Sequence, residues 1–274
     1  MLSLLPEAGD LLDYLKVGPF MGRQAIADLA TRYPLLLHLD DTLSNHAPPD
    51  AAVIERLESW VQLSRTPWTS EHIGFSVADV DLDGALITQP ASALLEREEA
   101  LGSIARNASA LAQRLSVPLI LENIPLFPNL AHLWVCEPDF VAEVLERTGC
   151  DLLVDLAHAR VSADVLGCGI HDYLSRLPLE RTVELHLSGP RTLAEFDPSR
   201  QELVRENARS VAHRLPFGEH NLVDAHAPLG DEDYALLEWT LARSRPRAIS
   251  LEYYREPDAL REQLLRLNEI LGRA

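Results

Sequence analysis

Cysteine is scarce and unpaired. Cys136, Cys150 and Cys168 are the three in 274 residues, an odd number with no CxxC spacing, which argues against structural zinc and against a disulfide framework. Cys150, at the head of an apolar run, reads as a small core residue. Lysine occurs once, at Lys16. Basic residues as a class are outnumbered, 24 against 42 acidic, giving a formal net charge of −18 and an isoelectric point near 4.9. Such a surface repels phosphate backbones, so nucleic acid is an unfavourable partner unless bound cations invert the local field. It tolerates a basic peptide or a small neutral ligand, and otherwise serves solubility. No apolar run approaches the roughly 20 residues that span a bilayer. Met1 to Asp10 has no basic start and meets Pro6 and Glu7 early, unlike a signal peptide, so a cytoplasmic location is expected. GxSxG and Walker motifs are absent, and the first strand-to-helix turn, Val17-Gly18-Pro19-Phe20, is no GxGxxG fingerprint.

What the chain does have is a recurrent unit: a short apolar run ending in a metal-binding residue type. Leu152-Leu153-Val154 runs into Asp155, with His158 three positions on; Leu35-Leu36-Leu37 ends in His38; and Leu119-Ile120-Leu121 ends in Glu122-Asn123. Val183-Glu184-Leu185 ends in His186, Leu222-Val223 in Asp224-Ala225-His226, Ile249-Ser250-Leu251 in Glu252, and the segment from Trp68 carries Glu71-His72. Runs this short, bounded by turn residues, read as parallel strands buried on both faces.

Between them lie helical patterns at 23–32, 51–64, 91–116, 138–148, 200–214, 231–243 and 257–271, with Asp50 capping the second, Pro138 opening one and Gly149 closing it. Ser162 is expected to cap the helix that follows Asp155. With a first strand at Asp13–Val17 and a seventh at Asn221–Asp224, the count is eight strands alternating with eight helices. Alternation implies a parallel sheet with right-handed crossovers, and eight units in this length imply a (β/α)8 TIM barrel of xylose-isomerase-like type. One domain over 1–274 is expected, with a long loop insertion at about 188–220 of the kind that forms lids or binding loops.

In such a barrel the C-terminal strand ends share one mouth. His38, His72, Glu122, Asp155, His158, His186, Asp224, His226 and Glu252 then converge: five imidazoles and four carboxylates. A lone strand-end histidine is more often a hydrogen-bonded structural residue than a ligand, and Glu122 or Glu252 alone could pair with a core arginine; the coincidence of the whole set is what points to metal. Carboxylates crowded together need cations between them, and the set exceeds what one ion takes, about four to six groups. Two or three ions bridged by carboxylate are expected, and mixed His and carboxylate ligands without Cys favour iron, manganese or zinc. Asp224 and His226 share a face if the strand continues, whereas Asp155 and His158 require a turn after Asp155. Glu184, deeper on the same strand as His186, and Asn123 are expected behind the ligands as positioning groups, Asn123 also being a candidate ligand. Asp40 and His46 are weaker candidates; His132, His171, His213 and His220 fall in helices or loops and read as surface or structural.

The ordered motifs Ser70-Glu71-His72, Leu121-Glu122-Asn123, Leu153-Val154-Asp155-Leu156-Ala157-His158, Glu184-Leu185-His186-Leu187-Ser188-Gly189, Asp224-Ala225-His226 and Leu251-Glu252 resemble those of the multinuclear non-haem iron-dependent oxidative enzymes, the family that includes the methanobactin-biosynthesis oxidase. The resemblance runs from about Leu12 to Leu271. It implies a TIM barrel holding two or three irons, O2 as co-substrate, and modification of a side chain, mainly cysteine, in a ribosomally made precursor peptide. It also implies a partner protein that recognises the peptide leader. Glu122, Asp155, His158 and Asp224 are then the residues expected to be catalytic. The chain departs from many members at Ala157-His158, where Asn-Asn is common, and at Gly189-Pro190, where Gly-His is common. The loop Leu39–Pro49 and the 188–220 connection are also atypical. The alternative is a redox-neutral divalent-metal sugar isomerase, epimerase or hydrolase on the same barrel. An isomerase usually needs a lysine near the metals, and only Lys16 is available; a nuclease fits poorly with the acidic balance. A non-enzymatic metal-binding barrel is a third reading, which the loss of a ligand set would support, and none is lost.

Overall fold

A computed structural model describes residues 9–40, 43–83 and 87–273. Met1 to Ala8 of the N-terminal stretch, and Asp41 and Thr42 in the loop after His38, lie outside the described residues. In chain order the strands are β1 (Leu15–Val17), β2 (Leu35–His38), β3 (Thr69–His72), β4 (Val80–Asp83), β5 (Ile87–Pro90), β6 (Leu119–Glu122), β7 (Asp151–Asp155), β8 (Thr182–Leu187), β9 (Gly189–Thr192), β10 (Leu222–Ala227) and β11 (Ala248–Leu251). The helices are α1 (Arg23–Ala30), α2 (Ala51–Ser64), α3 (Arg97–Ala112), α4 (Pro138–Thr148), α5 (Leu156–Leu166), α6 (Ile170–Ser175), α7 (Pro198–Val211), α8 (Asp231–Leu241) and α9 (Pro257–Ile270).

The barrel is a seven-stranded parallel sheet in the order β1-β2-β3-β6-β7-β8-β11, with helices between successive strands. Tyr14 Oη donates to the Ile249 carbonyl at 3.0 Å and ties the two terminal strands together. The seventh expected strand does not enter this sheet. β8 pairs directly with β11, Ser250 opposite His186, while β10 pairs antiparallel with β9 in a separate ribbon at the mouth. The long connection therefore contains a strand, the ribbon partner, as well as α7. A second hairpin, β4–β5, also lies outside the expected alternation.

Strand side chains alternate in direction, and this sorts the sequence into layers. One face of each strand packs outward against the helices, as Leu35, Leu37, Leu119, Leu121, Leu152, Val154, Leu185 and Leu187 do in the main core. The other face fills the lumen. Leu36, Trp68, Ile120, Leu153 and Ala248 form a separate apolar plug; each large side chain buried there contributes about 1.5–3 kcal/mol. Two residues further along the same strands come Ser70, Glu122, Asp155 and Ser250. The apolar plug thus closes one end of the barrel, and polar groups collect at the other.

Local signals account for the helix ends. Asp50 caps α2 by accepting from Val53 N at 2.9 Å, and Gly149 ends α4 with a left-handed φ of 70°. Ser162 does not cap a helix. α5 begins six residues earlier, at Leu156, with Asp155 as its cap. Ser162 sits inside it, donating to the Ile124 carbonyl and accepting from Leu126 N. It anchors the apolar loop after β6. Among the described residues no helix is long and apolar enough to cross a membrane.

Candidate metal centre

Strand pairing sets the site. Glu122 is register partner to His72 across β3–β6, and Asp155 to His186 across β7–β8. α5 then turns back immediately: Asp155 Oδ1 accepts from His158 N at 2.7 Å, which brings the His158 ring over the mouth. Asp224 and His226 also meet, Nε2 to Oδ2 at 3.1 Å. They do so on an irregular strand rather than by plain alternation: the β9–β10 register slips between Val223 and Ala227, and His226 has φ +43°. Non-glycine residues rarely adopt that conformation.

All nine expected residues come together. His38, His72 and Glu122 offer ligand atoms within 4.8 Å of one another, as do Glu122, Asp155 and His186, and likewise His158, Asp224 and His226. Glu122 belongs to two of these groups. Glu252 reaches from the group of His186 to that of His226, its Oε1 3.0 Å from His186 Nδ1 and its Oε2 3.4 Å from His226 Nε2. His46, His171, His213 and His220 are exposed and stand apart, while Asp40 lines the cavity in front of the cluster.

Three of the imidazoles are oriented by what holds their other nitrogen. His158 Nδ1 lies 2.9 Å from the Asn123 carbonyl, which can only accept, so Nδ1 carries a proton and Nε2 faces Asp155 and Asp224 at 3.7 and 3.6 Å. His38 Nδ1 contacts Ser70 Oγ at 2.8 Å, leaving Nε2 toward Glu122. His186 Nε2 contacts Glu184 Oε1 at 3.1 Å, leaving Nδ1 toward Glu122, Asp155 and Glu252. Asn123 exchanges two hydrogen bonds with the Asp155 backbone. It therefore locks β6 to β7 and positions Asp155.

Among the described residues, three buried atoms in this cluster have no hydrogen-bond partner: Glu122 Oε2, Asp155 Oδ2 and His186 Nδ1. Orphaned buried polar atoms cost about 1–3 kcal/mol each, more when charged. Three in one cluster, two of them acidic, are what a cation would satisfy. The charge balance of the protein alone says the same. Burial alone pushes Glu122 up, but His186, His72 and His38 outweigh it and hold the carboxyl well below its usual range. Burial raises Asp155 to about 7. His158 and His186 are driven down by burial, yet Asp155 and Asp224 for the first, and Glu252 and Glu122 for the second, push both well above the ordinary value. Asp224 raises His226 to about 9. Extra protons on these imidazoles neutralise the carboxylates, occupying the role that metal ions fill more effectively.

A cavity of about 790 Å³ opens onto the cluster. His38, His72, Glu122, His158, Asp224, His226 and Glu252 line it, and Asp155 and His186 lie behind them. Phe75, Leu126, Phe127 and Val161 supply an apolar wall. His132, expected at the surface or in a structural role, is in this wall and buried. Its Nδ1 is 2.7 Å from the Pro125 carbonyl, and burial lowers it to about 4. Nothing in its local sequence separates it from an exposed helical histidine.

A family model described as RiPP precursor modification enzyme MbnB/TglH/ChrH matches residues 13–271. Among curated relatives, a UPF0276 protein of Bordetella pertussis is 29% identical over 229 residues, covering 83% of this chain and 71% of its own length. A UPF0276 protein of Caulobacter vibrioides is 26% identical over 223 residues, covering 81% and 69%. Solved structures similar to the chain include a D-tagatose 3-epimerase-like protein, with TM-score 0.58, 14% identity and coverage of 95% and 89%. Another is a Thermus thermophilus protein soaked with ZnCl2, with TM-score 0.55, 20% identity and coverage of 99% and 94%. At those identities the likeness is one of fold, and it places the chain among xylose-isomerase-like TIM barrels.

Proposed function

The chain belongs to the RiPP precursor modification enzyme family MbnB/TglH/ChrH, and from that membership we propose that it is a multinuclear non-haem iron, O2-dependent oxidase. Its substrate is a side chain, cysteine foremost, of a ribosomally made precursor peptide. The observation that carries the reading is the trio of orphaned buried atoms on Glu122, Asp155 and His186, set where two of the three ligand groups share Glu122. Bound iron would supply the one-electron chemistry that reduces O2 and oxidises the substrate side chain.

The protein's own residues do the rest. Glu122, common to two groups, would bridge ions, and Glu252 would join the His186 and His226 sides. Asp224, partly exposed in the cavity and 3.6 Å from His158, would meet the substrate together with it. The apolar wall of Phe75, Leu126 and Val161 would exclude water from the reacting side chain. The acidic surface suits a peptide with basic segments, and a leader-binding partner protein would deliver it.

Lys16, the single lysine that an isomerase would need, is engaged with Glu184 at 2.8 Å, which favours the oxidase over the sugar isomerase or epimerase reading. The test is anaerobic reconstitution with Fe(II), metal analysis by mass spectrometry, and O2 uptake on adding a synthetic cysteine-bearing peptide with basic segments. Iron bound at two or more per chain, with peptide-dependent O2 uptake, is expected. A protein that retains no iron, or that turns over sugars with Mn(II) and no O2, would refute the reading.

A further inference from the structure

We infer that Lys16 is a positioning residue for the metal centre, acting through Glu184 to fix His186 as an Nδ1 ligand; this rests on the metal-centre reading above. The geometry is specific. Lys16 Nζ donates to both carboxylate oxygens of Glu184, at 2.8 and 2.9 Å. Trp68 Nε1 donates to Oε2 at 2.9 Å and Ser250 Oγ to Oε1 at 2.9 Å. Glu184 is fully buried, so its charge needs this full set of donors to be tolerated. A carboxylate so surrounded has only acceptor capacity left for His186 Nε2, 3.1 Å away. Nε2 must then carry the proton, and Nδ1, orphaned and facing Glu122, Asp155 and Glu252, is the nitrogen free to bind an ion.

Lys16 reaches a second ligand by the same logic. Its Nζ donates to Ser70 Oγ at 2.8 Å, and Ser70 Oγ contacts His38 Nδ1 at 2.8 Å. With one lone pair taken by Lys16, the hydroxyl can still accept from His38 Nδ1–H and donate toward the Leu37 carbonyl at 3.5 Å. One ammonium beneath the cluster thus orients imidazoles belonging to two different ligand groups. Glu184 on the strand of His186 is readable in the sequence; its partner 168 residues away is not.

Zn(II), being diamagnetic, is the probe. The full-length protein, labelled with 15N-histidine, is titrated with Zn(II) alone, and long-range 1H–15N spectra report which ring nitrogen of His186 keeps its proton. Retention of Nε2–H with a metal-bound Nδ1 is expected; a zinc-bound Nε2 would overturn the inference. In parallel, K16M should weaken Zn(II) binding by about 10–100-fold, the usual loss when a group supporting a ligand is removed, while K16R restores most of it. K16M binding Zn(II) as tightly as wild type, with the His186 spectrum unchanged, would also overturn it. If K16M does not fold, the wild-type spectrum decides. Wild-type protein that takes up neither Zn(II) nor Fe(II) would instead sink the metal-centre reading itself.

Discussion

Asp155 Oδ1 accepts the backbone N–H of His158 at 2.7 Å, so one carboxylate both starts α5 and aims its second oxygen at the cluster. The two functions separate by substitution. Asp155→Asn keeps an acceptor for the cap and removes the anion, whereas Asp155→Ala removes both. Losing the cap costs about 0.5–2 kcal/mol. Asp155→Asn should therefore lie nearer wild type in metal-free stability than Asp155→Ala by about 1 kcal/mol, while both bind less metal. Urea denaturation with metal analysis checks this; equal metal content in Asp155→Asn and wild type would remove Asp155 from the ligand set.

Glu122 is shared by two ligand groups and is 1% exposed. Glu122→Gln preserves its volume and should leave the barrel folded, with circular dichroism unchanged, yet reduce bound metal by at least one ion per chain. His226→Ala should remove metal from the group on β10 with a smaller structural effect, since its ring is partly exposed. Full metal content in both variants would contradict the assignment.

Protons stand in for ions in the metal-free protein, which gives a pH signature. Asp155 and His226 both have folded-state values above their ordinary ones, at about 7 and about 9. Their contribution to stability is complete below their unfolded values and disappears as pH rises through those folded values. Chelator-treated protein should accordingly lose stability as pH rises from about 4, the unfolded value of Asp155, to about 9, the folded value of His226. Metal binding at pH 6 should release protons, seen by calorimetry in buffers of different ionisation enthalpy. No buffer dependence would mean that these groups are not the ones displaced.

Ligand linkage predicts the converse for the loaded protein. Free metal at a hundred times its Kd should stabilise it by about 2.7 kcal/mol per independent site, and chelation should reverse the rise in Tm.

Gly189 is held against the opposite chain: a Cβ there would lie 2.3 Å from the Pro228 carbonyl oxygen. Gly189→Ala should destabilise the protein by about 1–3 kcal/mol and loosen the ribbon that carries Asp224 and His226. A thermal melt indistinguishable from wild type would show that the ribbon absorbs the methyl group.

The barrel and its mouth were legible because each apolar run is short, two-sided and terminated by a ligand-type residue, as at Leu37-His38 and Leu121-Glu122. The turn at Asp155-x-x-His158 was legible too, since both side chains can face one mouth only if the strand stops. Pairing was not. Nothing in Leu222-Val223 distinguishes a barrel strand from a ribbon strand; hydrogen bonding to Gly189–Thr192 decides it. Ser162 was not decided by sequence either, since serine suits a cap as readily as it suits a carbonyl inside a helix. The link from Lys16 through Glu184 to His186 depends on which residues face each other across the lumen, and the burial of His132 depends on the fold of the loop after β6.

Because β10 belongs to a separate ribbon, Asp224 and His226 ride on an arm, while Glu122, Asp155, His186 and Glu252 sit on or directly after the strands of the continuous sheet. His226 has a backbone φ of +43°, and Arg255 from beyond β11 donates to the Ala225 carbonyl beside it. The two halves of the cluster are therefore carried on different sheets. An ion gripped between His158, Asp224 and His226 would be the last to enter and the first to leave, so partial loading should produce a definite lower-occupancy species and not a random mixture.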